Sequence, residues 1–246
     1  MDLIRTDCSD GRRCTVLGVP VHACRNPLAV ALELHDRGGG QIVTLNAEMT
    51  MSACSQRALG AVIAHADLVI PDGAGVVWAL ARQGVRVRRT PGIELADALL
   101  RYAAGHHWRV ALIGASPEVM DRLRQTLQTS MPGMDLVLAV HGYQEPETWS
   151  ALQRQLQGIR PDLVLVALGV PRQELWIAEA RRGCTGLWMG VGGSFDVWSG
   201  SKRRAPAWMA RVNLEWLYRL VQEPARWRRM LVLPRFAWAV LRRGAR

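Results

Sequence analysis

The 246-residue sequence has no apolar run of the roughly 18 residues that a bilayer-spanning helix needs, so no spanning segment is expected. The best stretch, Met230 to Leu241, is interrupted by Pro234 and Arg235; it can lie on a membrane but hardly cross one. No apolar h-region stands near the N-terminus, which predicts that there is no secretory signal. The five cysteines are odd in number and include no Cys-x-x-Cys pair and no His/Cys ligand cluster. Reduced thiols in a cytosolic protein are the expectation. G-x-x-x-x-G-K-[ST], G-x-S-x-G and H-E-x-x-H are all missing, which argues against a P-loop, a nucleophile elbow and a zincin helix. There is no internal repeat and no low-complexity segment.

What is present is a globular composition with a lopsided charge. Hydrophobic residues make up 49% of the chain, enough for a sizeable core rather than a disordered polymer. The net charge is +10, and all of the excess sits at one end. Residues 201–246 hold twelve Lys/Arg against Glu215 and Glu223, whereas residues 1–200 hold nineteen of each sign. A basic tail suits nucleic acid or anionic lipid. This one also carries Trp208, Trp216, Trp227, Trp238 and Phe236. Tryptophan beside arginine favours the bilayer interface over nucleic acid, because an amphipathic ring and a snorkelling cation both fit there.

Short apolar runs alternate with helical patterns. The runs are Ile42–Leu45, Leu68–Pro71, Arg109–Gly114, Leu136–Val140, Leu163–Leu168 and Leu187–Val191. Several are apolar at every position, as strands covered on both faces are. Helices are predicted over Ala47–His65, Gly75–Arg82, Ile93–Ala104, Pro117–Thr129, Glu147–Gln157 and Gln173–Arg181. The alternation predicts an α/β fold, a Rossmann-like, mostly parallel sheet with helices on both faces. After a Gly-Ser-Lys-Arg-Arg loop, a helix near Pro206–Val221 and a second one opened by Pro224 are expected. Residues 1–199 thus read as a catalytic core and residues 200–246 as a basic, amphipathic helical appendage.

In such sheets ligands gather beyond the carboxyl ends of the strands. Asp72 stands there, in Ile-Pro-Asp-Gly-Ala-Gly; it reads equally as a general base facing a cleft or as the N-cap of the next helix. Thr44 and Asn46 end the preceding strand and can bind a sugar hydroxyl or close a turn. Gly192-Gly193-Ser194 follows an apolar strand, where two glycines let backbone N–H groups approach a pyrophosphate or simply make a tight turn. Asp196 can hold a ribose or base, or pair with an arginine. In Gly169-Val-Pro-Arg-Gln-Glu174, Arg172 and Gln173 fall in a first helical turn near where an anion would bind. No Asp-x-Asp metal-holding pair exists; Glu145-Pro-Glu147 comes nearest and reads as a helix start. A departing diphosphate would then need arginines and N–H groups.

The whole pattern resembles the WecG/TagA/CpsF family, glycosyltransferase family 26, from about Val16 to Arg229. The landmarks are Thr44-Leu-Asn46-Ala-Glu48, Ala66-Asp67 through Pro71-Asp72-Gly73, Arg89-Thr-Pro-Gly92, Gly142-Tyr143, Ala167-Leu-Gly169 with Pro171-Arg-Gln-Glu174, Val191-Gly-Gly-Ser-Phe-Asp196, Arg204-Ala-Pro206 and Glu215-Trp-x-x-Arg219. The resemblance implies an inverting, metal-independent transferase, without cofactor. It would move a sugar from a UDP-sugar donor to a polyprenyl-diphosphate-linked acceptor. N-acetylmannosamine, its uronic acid and glucose are the donor sugars to expect. The setting implied is the inner face of a bacterial plasma membrane, with the protein peripheral and self-association compatible. By the same resemblance Asp72 is the catalytic base, and Thr44, Asn46, Gln173 and Arg89 belong to the acceptor pocket. Gly142, Tyr143, Gly169, Gly192, Gly193 and Asp196 form the donor wall, and Arg219, Arg226 and Arg229 meet diphosphate. Two rivals stand beside this reading. A nicotinamide-dependent oxidoreductase is disfavoured because the early strand ends in Thr44-Leu-Asn46 instead of G-x-G-x-x-G. The other rival is a non-enzymatic peripheral membrane adaptor.

Overall fold

A computed structural model describes residues 12–206, 208–209, 215–224 and 227–243. Six strands form one parallel sheet: β3 (Gly40–Leu45), β4 (Leu68–Pro71), β5 (Arg109–Gly114), β6 (Asp135–Val140), β7 (Leu163–Ala167) and β8 (Leu187–Gly190). Their spatial order is β4-β3-β8-β7-β5-β6, and every pairing is parallel. All six apolar runs of the sequence are therefore strands of this sheet. Along β7 the side chains alternate: Leu163 and Leu165 enter one apolar layer with Leu99, Leu123 and Phe195, while Val164 and Val166 enter another with Ile177 and Trp188. Period-two burial on both faces is what an uninterrupted Leu-Val-Leu-Val run specifies.

The first sixty described residues hold elements that the hydrophobic pattern did not predict. Strands β1 (Arg12–Val16) and β2 (Val19–Ala23) make an antiparallel hairpin. Its turn is Leu17-Gly18, with φ of 54° and 87°, the pair of positive angles that a two-residue hairpin of right-handed twist requires. His22 on β2 accepts the Val69 N–H of edge strand β4 at Nδ1 (2.9 Å), so the hairpin is pinned to the sheet's edge. Burial lowers the His22 pKa, with Arg13 adding to the effect. Helix α1 (Pro27–Asp36) follows, capped by Asn26.

The expected helix over Ala47–His65 is two, α2 (Ala47–Ser55) and α3 (Arg57–Ala64), broken at Gln56, whose backbone is extended. Next come α4 (Ala74–Arg82), α5 (Gly92–Gly105), α6 (Pro117–Ser130), α7 (Pro146–Ile159), α8 (Arg172–Ala180) and α9 (Ser194–Trp198). Beyond it, Trp208 and Met209 are helical, then α10 (Glu215–Gln222), α11 (Trp227–Met230) and α12 (Val232–Arg243). The last helix is built into the molecule. Phe236 (2% exposed) and Val240 share an apolar cluster with Val43, Leu45, Ala47, Val76 and Leu80, and Leu233 packs against it. Among the described residues no helix is long and apolar enough to cross a membrane.

Candidate active site

Strands β4, β3, β8 and β7 are immediate neighbours, and each ends in a residue that the sequence singles out. Leu45 pairs with Pro71, so Asn46 and Asp72 leave the sheet side by side. Val166 pairs with Gly190, so the turns at Gly169 and Gly192 follow on the other side. A cavity of about 550 Å³ lies over these four ends. Of the singled-out residues, Thr44, Asn46, Asp72, Arg89, Tyr143, Gly169, Gln173, Gly192, Gly193, Asp196 and Arg229 line it.

Asp72 is not the N-cap of α4. That position belongs to Gly73, and no side chain bonds to the cap. Instead the Asp72 Oδ1 accepts the N–H of Gly92, the first residue of α5, at 3.2 Å. The carboxylate thus faces the positive end of a 14-residue helix, which favours a negative charge there. Arg89 donates from Nε to the Asp72 carbonyl (2.8 Å) and pairs through its guanidinium with Glu215 of α10. Asn46 caps α2, its Oδ1 accepting the Met49 N–H at 2.9 Å; the cap uses its oxygen and leaves its amide N–H donors for other partners. Thr44 is buried against Gly92, where even a methyl group would collide with its side chain.

Gln173 is 2% exposed and lies beneath the opposite wall. Its Oε1 accepts the N–H groups of both Gly169 and Gly192, each at 3.2 Å. One carboxamide therefore ties two strand-end turns together, and the Gly192 N–H is already engaged. The Gln173 Nε2 donates to Glu174 Oε1 (3.0 Å), and Gln41 Nε2 donates to Glu174 Oε2 (3.0 Å). Glu174 is wholly buried, which pushes its pKa up, while the hydrogen bonds from Gln173 and Gln41 pull it down. Gly190 beneath them must lack a side chain: a Cβ would meet both Gln173 Nε2 and Glu174 Oε1.

Several singled-out residues lie elsewhere. Gly142 is not in the lining; its N–H donates to Ala115 O (2.8 Å) and it packs beside Leu168. Arg172 does not face the cavity. Its guanidinium stacks 5.0 Å over the Trp149 ring, because the first turn of α8 points it toward α7. Arg226 lies outside the described residues, and of Arg219 only the backbone, on α10, is described. Asp196 pairs with Lys202 (3.4 Å), and among the described residues no arginine pairs with it.

Glu48, Lys202 and Glu215 complete the wall, and no role was read for them from the sequence. Lys202 also pairs with Glu223. Burial, the largest single influence, lowers the Lys202 pKa, but Glu223 and Asp196 together outweigh it and hold it above its ordinary value. Glu215 takes Arg204 as a second partner at 3.7 Å, and Arg204 also reaches Glu94. Arg229 approaches Glu48 at 3.8 Å. Each described cation lining the cavity is thus matched to a carboxylate. Glu48 and Glu215 stand within landmark segments of the resemblance without a role attached to them, and the only sequence signal of Lys202 is charge in a loop, which reads as ordinary solvent exposure.

A parallel sheet with a polar cavity over four adjoining carboxyl ends defines an α/β enzyme of Rossmann-like type. The sequence model of the Glycosyl transferase WecG/TagA/CpsF family matches residues 14–246. The chain belongs to that family, glycosyltransferase family 26, and is a glycosyltransferase. It is 36% identical over 206 residues to a Bacillus subtilis (strain 168) protein, covering 83% of this chain and 80% of that one. It is 37% identical over 211 residues to a Bacillus spizizenii protein (85% and 81%) and 35% over 201 residues to one from Staphylococcus aureus strain MW2 (81% and 78%). All three relatives are named N-acetylglucosaminyldiphosphoundecaprenol N-acetyl-beta-D-mannosaminyltransferase.

Proposed function

We propose that this glycosyltransferase moves N-acetylmannosamine, or a closely related sugar, from a UDP-linked donor to a sugar carried on polyprenyl diphosphate. The observation that carries the reading is the position of Asp72. Its carboxylate opens on the same cavity as Gly192, Gly193 and Gln173, and a helix N-terminus steadies it. The relatives' shared name supports the donor sugar and the lipid-linked acceptor.

In this mechanism the Asp72 carboxylate draws the proton from an acceptor hydroxyl. That oxygen attacks the donor's anomeric carbon from the face opposite the leaving group. The bond to UDP breaks, the configuration inverts, and the diphosphate keeps the electron pair. Arginine and backbone N–H groups stabilise its charge without a metal. The Gly192–Gly193 turn takes the donor, and Thr44, Asn46 and Arg89 the acceptor.

The C-terminal segment is proposed to rest on the inner membrane face. Of the eleven large apolar side chains exposed among the described residues, eight lie at or beyond Trp208, including Trp208, Trp216, Trp227 and Trp238. These are the residues that an interface-lying surface would use. The test is to incubate the protein with N-acetylglucosaminyl-diphosphoryl-polyprenol and a panel of UDP-sugars, with and without EDTA, and to identify the product by mass. Transfer of one N-acetylhexosamine unit, unaffected by EDTA, is expected. Loss of transfer in EDTA would remove metal independence, and a preferred donor of another class would replace the sugar.

A further inference from the structure

A second, smaller cavity of about 210 Å³ adjoins the first. The two share Asn46, Glu48, Asp72, Arg89 and Glu215, and among the described residues these five are its only charged or amide side chains. What it does not share is apolar. The floor is Ala47 and the turn from Gly73 to Gly75, and the roof is Trp216 of α10, Met230 of α11 and Leu233 of α12. The site therefore grades in polarity. It runs from the glycine-lined turns, past Asp72, to a boundary where Arg89 meets Glu215, and from there into hydrocarbon-like walls.

We propose that this slot seats the isoprene units nearest the diphosphate of the lipid-linked acceptor. The proposal rests on the transferase reading above and adds the place of the lipid. An acceptor whose hydroxyl reaches Asp72 must carry its diphosphate and then its hydrocarbon outward in that order. The slot is the apolar space that begins at Asp72 and Arg89, so it matches that order. The floor offers only backbone and alanine methyl groups, and it is closely packed from behind, Gly75 against Phe236 and Ala47, and Gly73 against Asn46. Trp216 is partly exposed, so the rest of the lipid can leave past it toward the other exposed tryptophans. Floor and roof come from opposite ends of the sequence, so the pocket exists only when α10 to α12 are docked.

The test uses soluble acceptors, which removes membrane partition from the comparison. N-acetylglucosaminyl diphosphate esters of methanol, geraniol and farnesol are assayed at concentrations below aggregation, with UDP-N-acetylmannosamine as donor. The expected result is a kcat/KM for the farnesyl ester at least about tenfold above that of the methyl ester, since apolar pockets discriminate on this order per added group. Ala74→Leu narrows the floor and Leu233→Gln makes the roof polar. Each should bring the farnesyl-to-methyl ratio towards unity, and a thermal melt checks that each variant is folded. Equal use of all three esters by the wild type would overturn the slot while leaving the transferase intact. An unchanged ratio in both folded variants would do the same. No transfer to any ester or to the full polyprenyl acceptor would overturn the transferase reading and the slot with it.

Discussion

The two walls of the main cavity are held by different physics. The wall on the sheet side is locked by backbone hydrogen bonds: Asp72 to the Gly92 N–H, Asn46 to Met49, and Gln173 to Gly169 and Gly192. The wall on the C-terminal side is held by charges: Arg89 to Glu215, Lys202 to Asp196 and Glu223, and Arg229 to Glu48. Buried polar groups are costly to orphan, whereas an exposed ion pair such as Arg229 with Glu48 contributes about 0–1 kcal/mol and weakens in salt; Arg89 with Glu215 is the half-buried exception on that wall. The contacts of one wall are thus insensitive to salt, whereas the exposed charge pairs of the other weaken in it, although Phe236 of α12 anchors its far end in the core.

The sharpest break in this comparison is chemical. Asp72→Asn should leave UDP protection against thermal unfolding unchanged and lower kcat by roughly 10²–10⁴-fold, the contribution of a general base. Near-normal turnover in that variant would take Asp72 out of the reaction. On the same wall, Gln173→Leu deprives the Gly169 and Gly192 N–H groups of their acceptor. A loss of about 1–3 kcal/mol for each is expected in denaturant unfolding. On the charged wall, a double-mutant cycle of Arg229→Ala and Glu48→Ala, an exposed pair, should return a coupling of only about 1 kcal/mol, smaller still in 0.5 M salt. A coupling as large as the Gln173 effect would erase the distinction between the walls.

The smallest effect lies outside the cavity. His22 has a lowered pKa because it is buried, with the Arg13 charge adding to the effect. Its contribution is therefore complete above its ordinary value of 6.5 and lost as pH falls from there through the lowered folded value. His22→Asn retains an acceptor without titrating in this range. Its unfolding free energy should change less between pH 7 and pH 5 than that of the wild type.

The sheet was legible because β4, β7 and β8 are apolar at nearly every position, a pattern that leaves little else to be. Six strands were placed within two residues of their observed ends. Asp72, Asn46, Gly169 and Gly192 were legible for a related reason, since each is the first polar or glycine residue after such a strand. Other elements gave too weak a signal. Strand β1 begins Arg12-Arg13 and β2 contains Pro20, so the hairpin reads as a loop. The break between α2 and α3 falls at Gln56, without the glycine or proline that usually marks one. Glu215 could not be assigned to the cavity, because its partner Arg89 lies 126 residues away and only the docked helices bring them together. Asp72 read equally well as a helix cap until α5, not α4, was found at its carboxylate.

Phe236 carries a consequence for how the molecule is made. Apart from Val240, the other buried residues of the cluster it fills, around Ala47, Val76 and Leu80, come from the first third of the chain. A nascent polypeptide that has already formed all six strands still presents an oily socket until residue 236 emerges from the ribosome. Maturation of the catalytic pocket therefore waits on the emergence of residue 236, and a product terminated before it would leave that socket open.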